Sequence, residues 1–533
     1  MTLKQLLRKL VREGQALRVP SRAPTYGFLA LCLALYGLGA FYVRLLPANH
    51  DVAWLLYASG EVLGGAELYV DIIETNPPLI MCFMIAVKGL SVLTGVSDLM
   101  VFRMIALALI GVSLWVSWLN LRQAAPSGLS ATIVYLVSIF LLIPWVEYHF
   151  GQREHLTIAL VFPYLSAAVA SASGQSLPRN RAILTGVLAG FGFSLKPFFI
   201  PVWLAVEGYV ALRRSPAIWK RPENYVMVGF LLSYGLAILL FAPGYIELAR
   251  TALKVYNGYW SWGFWALARD PATLFVLLVL LAHSNVRASP QSSELRRVLA
   301  VATVMFLAAV FMQSKGWDYH WVPVKTAAVL LLTAVAVDAL LLLERWRLSR
   351  YIRPAALALT VVALLALNVR AHRSVRDVWA RLAGEPFWLY DMIEVVEEHA
   401  PSGVISSFAA SVRLNFPLVN YTGVRWGSRF NSLWMVPGLY LDVRRGQEGF
   451  PYRLPEERGE LERYFVDAVI TDLRQSQPDL LFVDRRPPGL HMYGFNWVDY
   501  FALDSRFREF FAHYESISEV GPLLIYKRVE AES

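Results

Sequence analysis

Acids, imidazoles and cations lie side by side in a few short polar segments between long apolar runs, where a simple turn would need few charged residues. The side chains that could do chemistry there are Asp51, Asp71, Glu74, Arg153, Glu154, His155, Trp260, Trp262, Lys315, Tyr319 and His320. Carboxylates and imidazoles are the usual general acids and bases of enzymes. Lys, Tyr and His side chains can all donate hydrogen bonds to a phosphate. These residue types therefore fit acid–base chemistry beside a phosphate at a membrane boundary.

The acids of the first polar segment have two interpretations each. Asp51 opens an apolar stretch, where an acid can cap a helix N-terminus or act as a general base. A cap leaves one carboxylate oxygen for the second role. Asp71 and Glu74 precede a double proline. They are either solvated loop acids or substrate ligands that the stiff loop aims inward.

The later segments are also open to two interpretations. Arg153, Glu154 and His155 form either a local ion pair at a helix start or an acid–base group with perturbed pKa values. Glu154 with a nearby histidine matches no strong metal spacing, so no metal site is predicted, although a divalent metal is possible. No cofactor is required by the sequence.

Cations and aromatic residues near the membrane have a structural interpretation of their own. Lys315 with Tyr319 and His320 is either a snorkelling lysine with belt aromatics or a phosphate-binding cluster, to which Lys196 adds charge. The segment with Trp260 and Trp262 is either an interfacial belt or a platform on which a sugar ring stacks.

Composition places these residues in a membrane protein. Of 533 residues, 56% are hydrophobic and 17% are charged, whereas soluble domains carry about 25% charged residues. Apolar runs of about 20 residues recur up to position 370, as transmembrane helices require. The net charge of +9 is concentrated in short clusters between these runs, which is typical of cytoplasmic loops rather than of nucleic-acid binding. No nucleotide-binding motif is present, which argues against an ATP-driven pump.

The fold class predicted is an α-helical polytopic membrane protein with a small C-terminal α/β domain on the periplasmic side. The charge bias predicts about eleven transmembrane helices, a cytoplasmic N-terminus and a non-spanning interfacial helix at 79–97. Cys32 and Cys82 are expected to be free thiols. The predicted domains are a basic arm at 1–25, a transmembrane domain at 26–370 with a first periplasmic loop at 47–98, and a soluble domain at 371–533. In the last, strands are predicted at 403–409, 479–483 and 523–529, and helices at 386–399, 456–471 and 498–514.

Several of these residues together resemble the GT-C superfamily of membrane glycosyltransferases, near the bacterial aminoarabinose and galacturonic acid transferases and the protein O-mannosyltransferases. The resemblance rests on Asp51 soon after the first helix, Tyr69-Val70-Asp71, Asn76-Pro77-Pro78-Leu79, Glu154 in the second outer loop, and the segment from Lys315 to Pro323. It covers about residues 26–370. Many relatives have Lys at the position of Asn76 and Asp at that of Glu154.

The resemblance implies an inverting transfer of a sugar from a polyprenyl-phosphate donor to a periplasmic glycan, lipid or protein acceptor, in a bacterial inner membrane. Asp51 would activate the acceptor hydroxyl, with Glu154 as a second catalytic acid. Lys315, Tyr319, His320 and Arg153 would hold the donor phosphate. The substrate-binding set would be Asp71, Glu74, His155, Trp260 and Trp262.

A non-enzymatic lipid-glycan transporter or envelope assembly partner is the alternative. It needs polar residues across the bilayer midplane, and Asp338 is the main acid inside a predicted span.

Overall fold

The computed structural model describes residues 26–125, 128–214, 220–256, 259–343, 388–442, 450–489 and 491–529. The chain divides into two compact units. The first, called here the helical unit, comprises Met1–Leu46, Arg103–Leu236 and Trp262–Ser374; the second, the sheet unit, comprises Pro47–Phe102, Ala237–Ser261 and Val375–Ser533. The sheet unit therefore adds parts of the predicted transmembrane domain to the C-terminal residues. The predicted boundaries at 1–25, 26–370 and 371–533 stay predictions.

Helices account for most of the first 343 residues. They are α1 (Tyr26–Leu45), α2 (His50–Leu63), α3 (Pro78–Thr94), α4 (Asp98–Ala124), α5 (Leu129–Leu142), α6 (Arg153–Ala172), α7 (Arg179–Leu195), α8 (Ile200–Arg214), α9 (Pro222–Phe241), α10 (Pro243–Tyr256), α11 (Phe264–Ala268), α12 (Pro271–Asn285), α13 (Ser293–Gln313) and α14 (Trp321–Leu343). Short 3-10 turns lie at Glu147–His149, Pro197–Phe199 and Asp318–His320.

The membrane-protein fold class is confirmed. In the described part of the chain, six helices are long and apolar enough to cross a membrane, or seven if a bent pair counts as one span. The helix α3 at the predicted interfacial segment has 17 residues and is among the shorter apolar helices. The predicted count of about eleven stays a prediction, and the apolar run at 353–369 lies outside the described residues. Cys32 and Cys82 are free thiols, as expected.

Helix α6 lies at the centre of the helical unit, with 94% of its apolar window buried, against 17% for α1. Pro163 interrupts its hydrogen-bond ladder, because proline has no N–H to donate to the carbonyl of Ala159. The Ser113 hydroxyl of α4 donates to that carbonyl instead. The proline inside this span is thereby tolerated, since the Ala159 carbonyl keeps a hydrogen-bond donor in the apolar interior.

A proline ends α7 and places a cation at its end. Pro197 disfavours helical geometry in the residue before it, and Lys196 has φ −144° and ψ 84°. The helices on either side of this break are bent by 117°. The chain is therefore sharply kinked at Pro197, and the kink presents Lys196 at a fixed point of the unit.

Asp338 forms a buried ion pair with Arg296. Its Oδ2 lies 2.9 Å from Arg296 Nη1 and accepts a second hydrogen bond, from the Ser292 hydroxyl. Both charged side chains are 1% exposed. The acid on which the transporter hypothesis depended thus has a structural partner on a neighbouring helix.

The C-terminal residues form a five-stranded mixed sheet. The strands are β1 (Val404–Phe408), β2 (Arg425–Trp426), β3 (Leu480–Asp484), β4 (Tyr514–Val520) and β5 (Leu523–Arg528), in the order β2-β1-β3-β5-β4. β1 pairs in parallel with β2 and β3, and β5 pairs antiparallel with β3 and β4. The helices are α15 (Trp388–His399), α16 (Leu418–Thr422), α17 (Val436–Leu439), α18 (Glu460–Ser476), α19 (Trp497–Ala502) and α20 (Ser505–Phe511), with a 3-10 turn at Val412–Leu414. The predicted small α/β domain is confirmed.

One predicted helix is wrong. The segment 498–514 is two short helices, α19 and α20, because the Asp504 side chain accepts from Arg506 N and caps a new helix. β4 begins at Tyr514, where the helix was expected to end.

The core of the sheet unit extends beyond the C-terminal residues. Ile73 of the first loop and Val255 of α10 belong to the same buried cluster as Phe408 and Phe465. A Cβ at Gly438 would lie 2.0 Å from the Val255 carbonyl oxygen, so only glycine permits this approach. Three separate stretches of sequence therefore fold as one body.

Candidate functional site

A buried ion pair lies at the start of α6. Glu154 is the second residue of that helix, and its Oε1 lies 2.6 Å from Lys196 Nζ. The Glu154 side chain is 1% exposed and that of Lys196 is 9% exposed. Two charges this deeply buried are stable only when each has a close partner of opposite sign. The sequence predicted only that Lys196 adds positive charge near the Lys315 cluster. In the structure Lys196 is the direct ion-pair partner of Glu154.

His320 is the centre of this charged group. Its Nε2 lies 3.6 Å from Glu154 Oε1, and its side chain is 1% exposed. Lys196, Arg153 and Lys315 also interact electrostatically with its ring. Neither ring nitrogen has a hydrogen-bond partner among the described residues. Buried polar atoms are normally hydrogen-bonded, so a buried ring on which neither nitrogen makes a hydrogen bond is suited to contact a ligand.

The loop before α14 holds a second cation among aromatic rings. Lys315 is 1% exposed, and its Nζ lies 5.9 Å from the centroid of the Trp317 ring. Tyr319 packs edge-on against His320, with ring centroids 4.7 Å apart. Burial lowers the pKa of Lys315 to about 8. The predicted grouping of Lys315, Tyr319 and His320 is therefore present as one aromatic-lined cationic cluster.

The histidine next to Glu154 in sequence does not face it. His155 Nδ1 accepts from Gly151 N at 3.0 Å, and its Nε2 lies 2.8 Å from the Leu142 carbonyl oxygen. A carbonyl can only accept, so Nε2 carries the proton and both nitrogens are in use. The expected partnership of Glu154 with His155 is replaced by one with His320. The predicted contact between His155 and a substrate stays a prediction, because both ring nitrogens are already hydrogen-bonded within the protein.

Asp51 lies at the start of α2 in the sheet unit, but it does not cap that helix. The Asn49 side chain is the cap and accepts from Asp51 N at 3.0 Å. Asp51 Oδ1 lies 3.5 Å from His50 Nε2, and its side chain is 30% exposed. The capping interpretation is thus wrong, and the carboxylate is open to solvent on one side.

Other groups surround this carboxylate. Burial lowers the pKa of His50, Asp51 opposes that change, and Arg413 adds to it. Burial, followed by the charge of Asp51, raises the pKa of Tyr259. A carboxylate with an imidazole, a guanidinium and a phenol in electrostatic range suits proton transfer.

The other acids of the first loop hold the loop itself. Glu74 is 1% exposed and accepts from Trp54 Nε1 at 2.6 Å and from Asn76 N at 2.7 Å. Asp71 is exposed and accepts from Glu67 N at 2.9 Å. Their predicted substrate contacts stay predictions.

The two predicted aromatic ligands differ in setting. Trp262 N donates to the Ser314 carbonyl at 2.7 Å, and its ring is 3.1 Å from the position of a Cβ at Gly316. Trp262 therefore packs against the loop that carries Lys315. Trp260 is 45% exposed and has a positive φ of 50°. Sugar stacking on either ring is not tested by these contacts.

No group of three or more His, Cys, Asp or Glu side chains in the described ranges is arranged to hold a metal ion. Metal dependence therefore stays open, as it was from the sequence.

The chain resembles known proteins in its structure but not detectably in its sequence. No protein-family model matches the sequence, and no curated protein matches it. The crystal structure of ArnT from Cupriavidus metallidurans bound to undecaprenyl phosphate has a TM-score of 0.55 with this chain at 10% identity, covering 94% of this chain and 98% of that one. The mycobacterial arabinofuranosyltransferase AftD has a TM-score of 0.43 at 13% identity, covering 96% of this chain and 42% of that one. ArnT is a GT-C glycosyltransferase, so the resemblance found in the sequence is confirmed for the fold, and this protein is a multi-pass membrane protein with the GT-C fold.

Proposed function

We propose that the protein is an inverting glycosyltransferase that takes a sugar from a polyprenyl-phosphate donor and transfers it to a periplasmic glycan, lipid or protein. The proposal places it in the bacterial inner membrane, with the N-terminus in the cytoplasm and the C-terminal domain in the periplasm. One observation carries the proposal: a buried cationic cluster centred on His320, whose two ring nitrogens make no hydrogen bond among the described residues. The shared fold with ArnT, which binds undecaprenyl phosphate, supports it.

The charge of the cluster suits a phosphate. Lys196, Arg153 and Lys315 supply three positive charges around His320 against the single negative charge of Glu154. A phosphate monoester carries between one and two negative charges near neutral pH. Fixed cations in a dry site stabilise such a group more strongly than they would in water.

The proposed reaction needs one base and one leaving group. The acceptor hydroxyl oxygen attacks the anomeric carbon, and its proton passes to the Asp51 carboxylate. The bond between that carbon and the phosphate oxygen breaks, and polyprenyl phosphate leaves with the bonding electrons. The cationic cluster stabilises the charge that develops on the phosphate. No nucleotide takes part, in agreement with the absence of nucleotide motifs.

We expect His320→Leu to weaken binding of undecaprenyl phosphate by about 10- to 100-fold, because a hydrogen bond to a charged group contributes about 1.5–3 kcal/mol. Native mass spectrometry of the purified protein with added undecaprenyl phosphate measures this. His399→Leu is the matched control, since His399 is a partly exposed histidine at the end of α15 and should leave binding unchanged.

The lipid itself supplies the second control. Undecaprenol, which lacks the phosphate, should bind the wild-type protein weakly and should not distinguish His320→Leu from it. The assignment of the phosphate site is contradicted if the two lipids bind equally well. It is also contradicted if His320→Leu binds undecaprenyl phosphate as tightly as the wild-type protein does.

Binding should also depend on pH through Lys315. Because burial lowers the pKa of this lysine to about 8, its positive charge is lost as the pH rises through that value. We expect undecaprenyl phosphate affinity to fall as the pH rises above 8, by at most about tenfold per pH unit. A titration between pH 6.5 and 9.5 measures it.

Lys315→Arg is the control for this pH dependence, because a guanidinium stays protonated throughout the range. The variant should bind with little change between pH 7 and 9. A wild-type affinity that is constant up to pH 9.5, or an identical decline in Lys315→Arg, shows that Lys315 does not carry the effect.

A further inference from the structure

Residues 416–426 of the C-terminal region lie directly against α2, the helix that begins beside Asp51. The Phe416 ring meets the Trp54 ring edge-on, with centroids 5.3 Å apart. Asn420 Nδ2 donates to the Ala53 carbonyl at 3.0 Å. A segment more than 360 residues away in sequence is thus packed against the first turns of the helix.

Two tyrosine hydroxyls tie this segment to α2, one just before its start and one near its middle. Tyr421 OH accepts from Ala48 N at 2.8 Å, immediately before the cap residue of the helix. Tyr57 OH accepts from Trp426 N at 2.9 Å. Tyr57 lies about 9 Å along the helix from Asp51, so only the first bond acts at the end that carries the carboxylate.

The bond from Ala48 fixes the backbone where it turns into the helix. Ala48 is 3% exposed, so its N–H has little access to water if the tyrosine oxygen is removed. An unpaired buried N–H is unfavourable, and the backbone would shift to relieve it. Such a shift moves Asn49 and Asp51 with it, and a displacement of about 1 Å in a reacting group can lower a rate about 100-fold.

We propose that Tyr421 is a positioning residue for Asp51, and that the C-terminal domain thereby forms part of the scaffold of the reaction centre. The domain acts on the reaction through the start of α2, independently of any acceptor it binds. This inference rests on the proposed function, because it takes Asp51 as the base.

The test compares two changes that each remove a single oxygen atom from the same interface. Tyr421→Phe should lower the rate of product formation about tenfold or more, with undecaprenyl phosphate binding unchanged. Tyr57→Phe removes a bond to the same segment near the middle of α2, about 9 Å from Asp51, and should leave the rate within about twofold. The rate is that at which the sugar-bearing product appears in membranes of a strain lacking the gene, at matched protein levels, and binding is measured by native mass spectrometry.

The thermal unfolding midpoints of the two variants separate positioning from loss of fold. Each variant loses a hydrogen bond at the interface, so both midpoints should fall by similar small amounts. A rate that falls only in Tyr421→Phe supports the proposal. Equal rates in both variants, whether both normal or both reduced, overturn it, since a plain packing interface would not single out the contact nearer Asp51.

The failure of the proposed function would look different. If Asp51→Asn retains full transfer activity, the base assignment is wrong and Tyr421 has nothing to position. If Asp51→Asn is inactive while Tyr421→Phe transfers at the wild-type rate, the base stands and the positioning role is wrong.

Discussion

Asp51→Asn should lower the rate of sugar transfer by about 100- to 10,000-fold, the range that a positioned general base contributes. The amide has the shape of the carboxylate but cannot accept the hydroxyl proton. The helix itself should persist, because Asn49 and not Asp51 is the cap. Loss of an acid near the start of the helix costs only about 0.3–1 kcal/mol. Product formation in membranes of a strain lacking the gene measures the rate.

The control for this variant is Asp270→Asn. Asp270 is also an acid at a helix start, where its side chain accepts from Ala272 N, and asparagine is an equally good cap. Transfer should be unchanged in Asp270→Asn, and undecaprenyl phosphate binding should be unchanged in both variants. An Asp51→Asn protein that is correctly inserted and fully active removes Asp51 from the mechanism.

Glu154→Leu should destabilise the protein by about 3–5 kcal/mol, because it leaves the Lys196 ammonium buried without its carboxylate. The pair is closely spaced at 2.6 Å and nearly inaccessible to water, so solvent screening does little to reduce this cost. Thermal or chemical unfolding in lipid nanodiscs measures the change. Transfer should be lost as well, since the cationic cluster loses its internal counter-charge.

Adding Lys196→Met to Glu154→Leu should recover most of that stability, because an apolar pair of similar volume is often as stable as a buried ion pair. Transfer should stay low in the double variant, because the cluster has lost a cation. Arg297→Met is the control, since Arg297 is 45% exposed in its pair with Glu294 and should cost no more than about 1 kcal/mol. A single Glu154→Leu variant as stable as the wild type contradicts the structural part of this account.

The long apolar helices and three of the five strands could be predicted because their signals are local. Apolar runs of helical length predict α1 and α4, and short apolar runs predict β1 and β3. The break between α19 and α20 also has a local signal, since Asp504 is a strong cap residue. The apolar residues of 498–514 nevertheless recur with helical spacing across the break, and this pattern predicted one continuous helix. The two-residue β2 has no local signal, because it exists only through its pairing with β1.

The candidate site was predictable in its residue types but not in its partnerships. Glu154 was identified from its position in a polar loop, yet proximity in sequence suggested His155 as its partner. The actual neighbours, Lys196 and His320, come from other helices, and only tertiary packing brings them to Glu154. The Lys196-Pro197 pair was the one usable signal, since proline forces the preceding residue out of the helix.

Whether the protein transfers a sugar can be measured by comparing envelope glycans and lipids by mass spectrometry in a strain lacking the gene, with and without the wild-type gene restored. We expect a mass increment corresponding to one sugar to be lost in the deletion strain and to return with the gene. The unused polyprenyl-phosphate sugar should accumulate in the deletion strain. An unchanged set of glycans and lipids, with no accumulated donor, contradicts the assignment of this protein as a polyprenyl-phosphate-dependent glycosyltransferase.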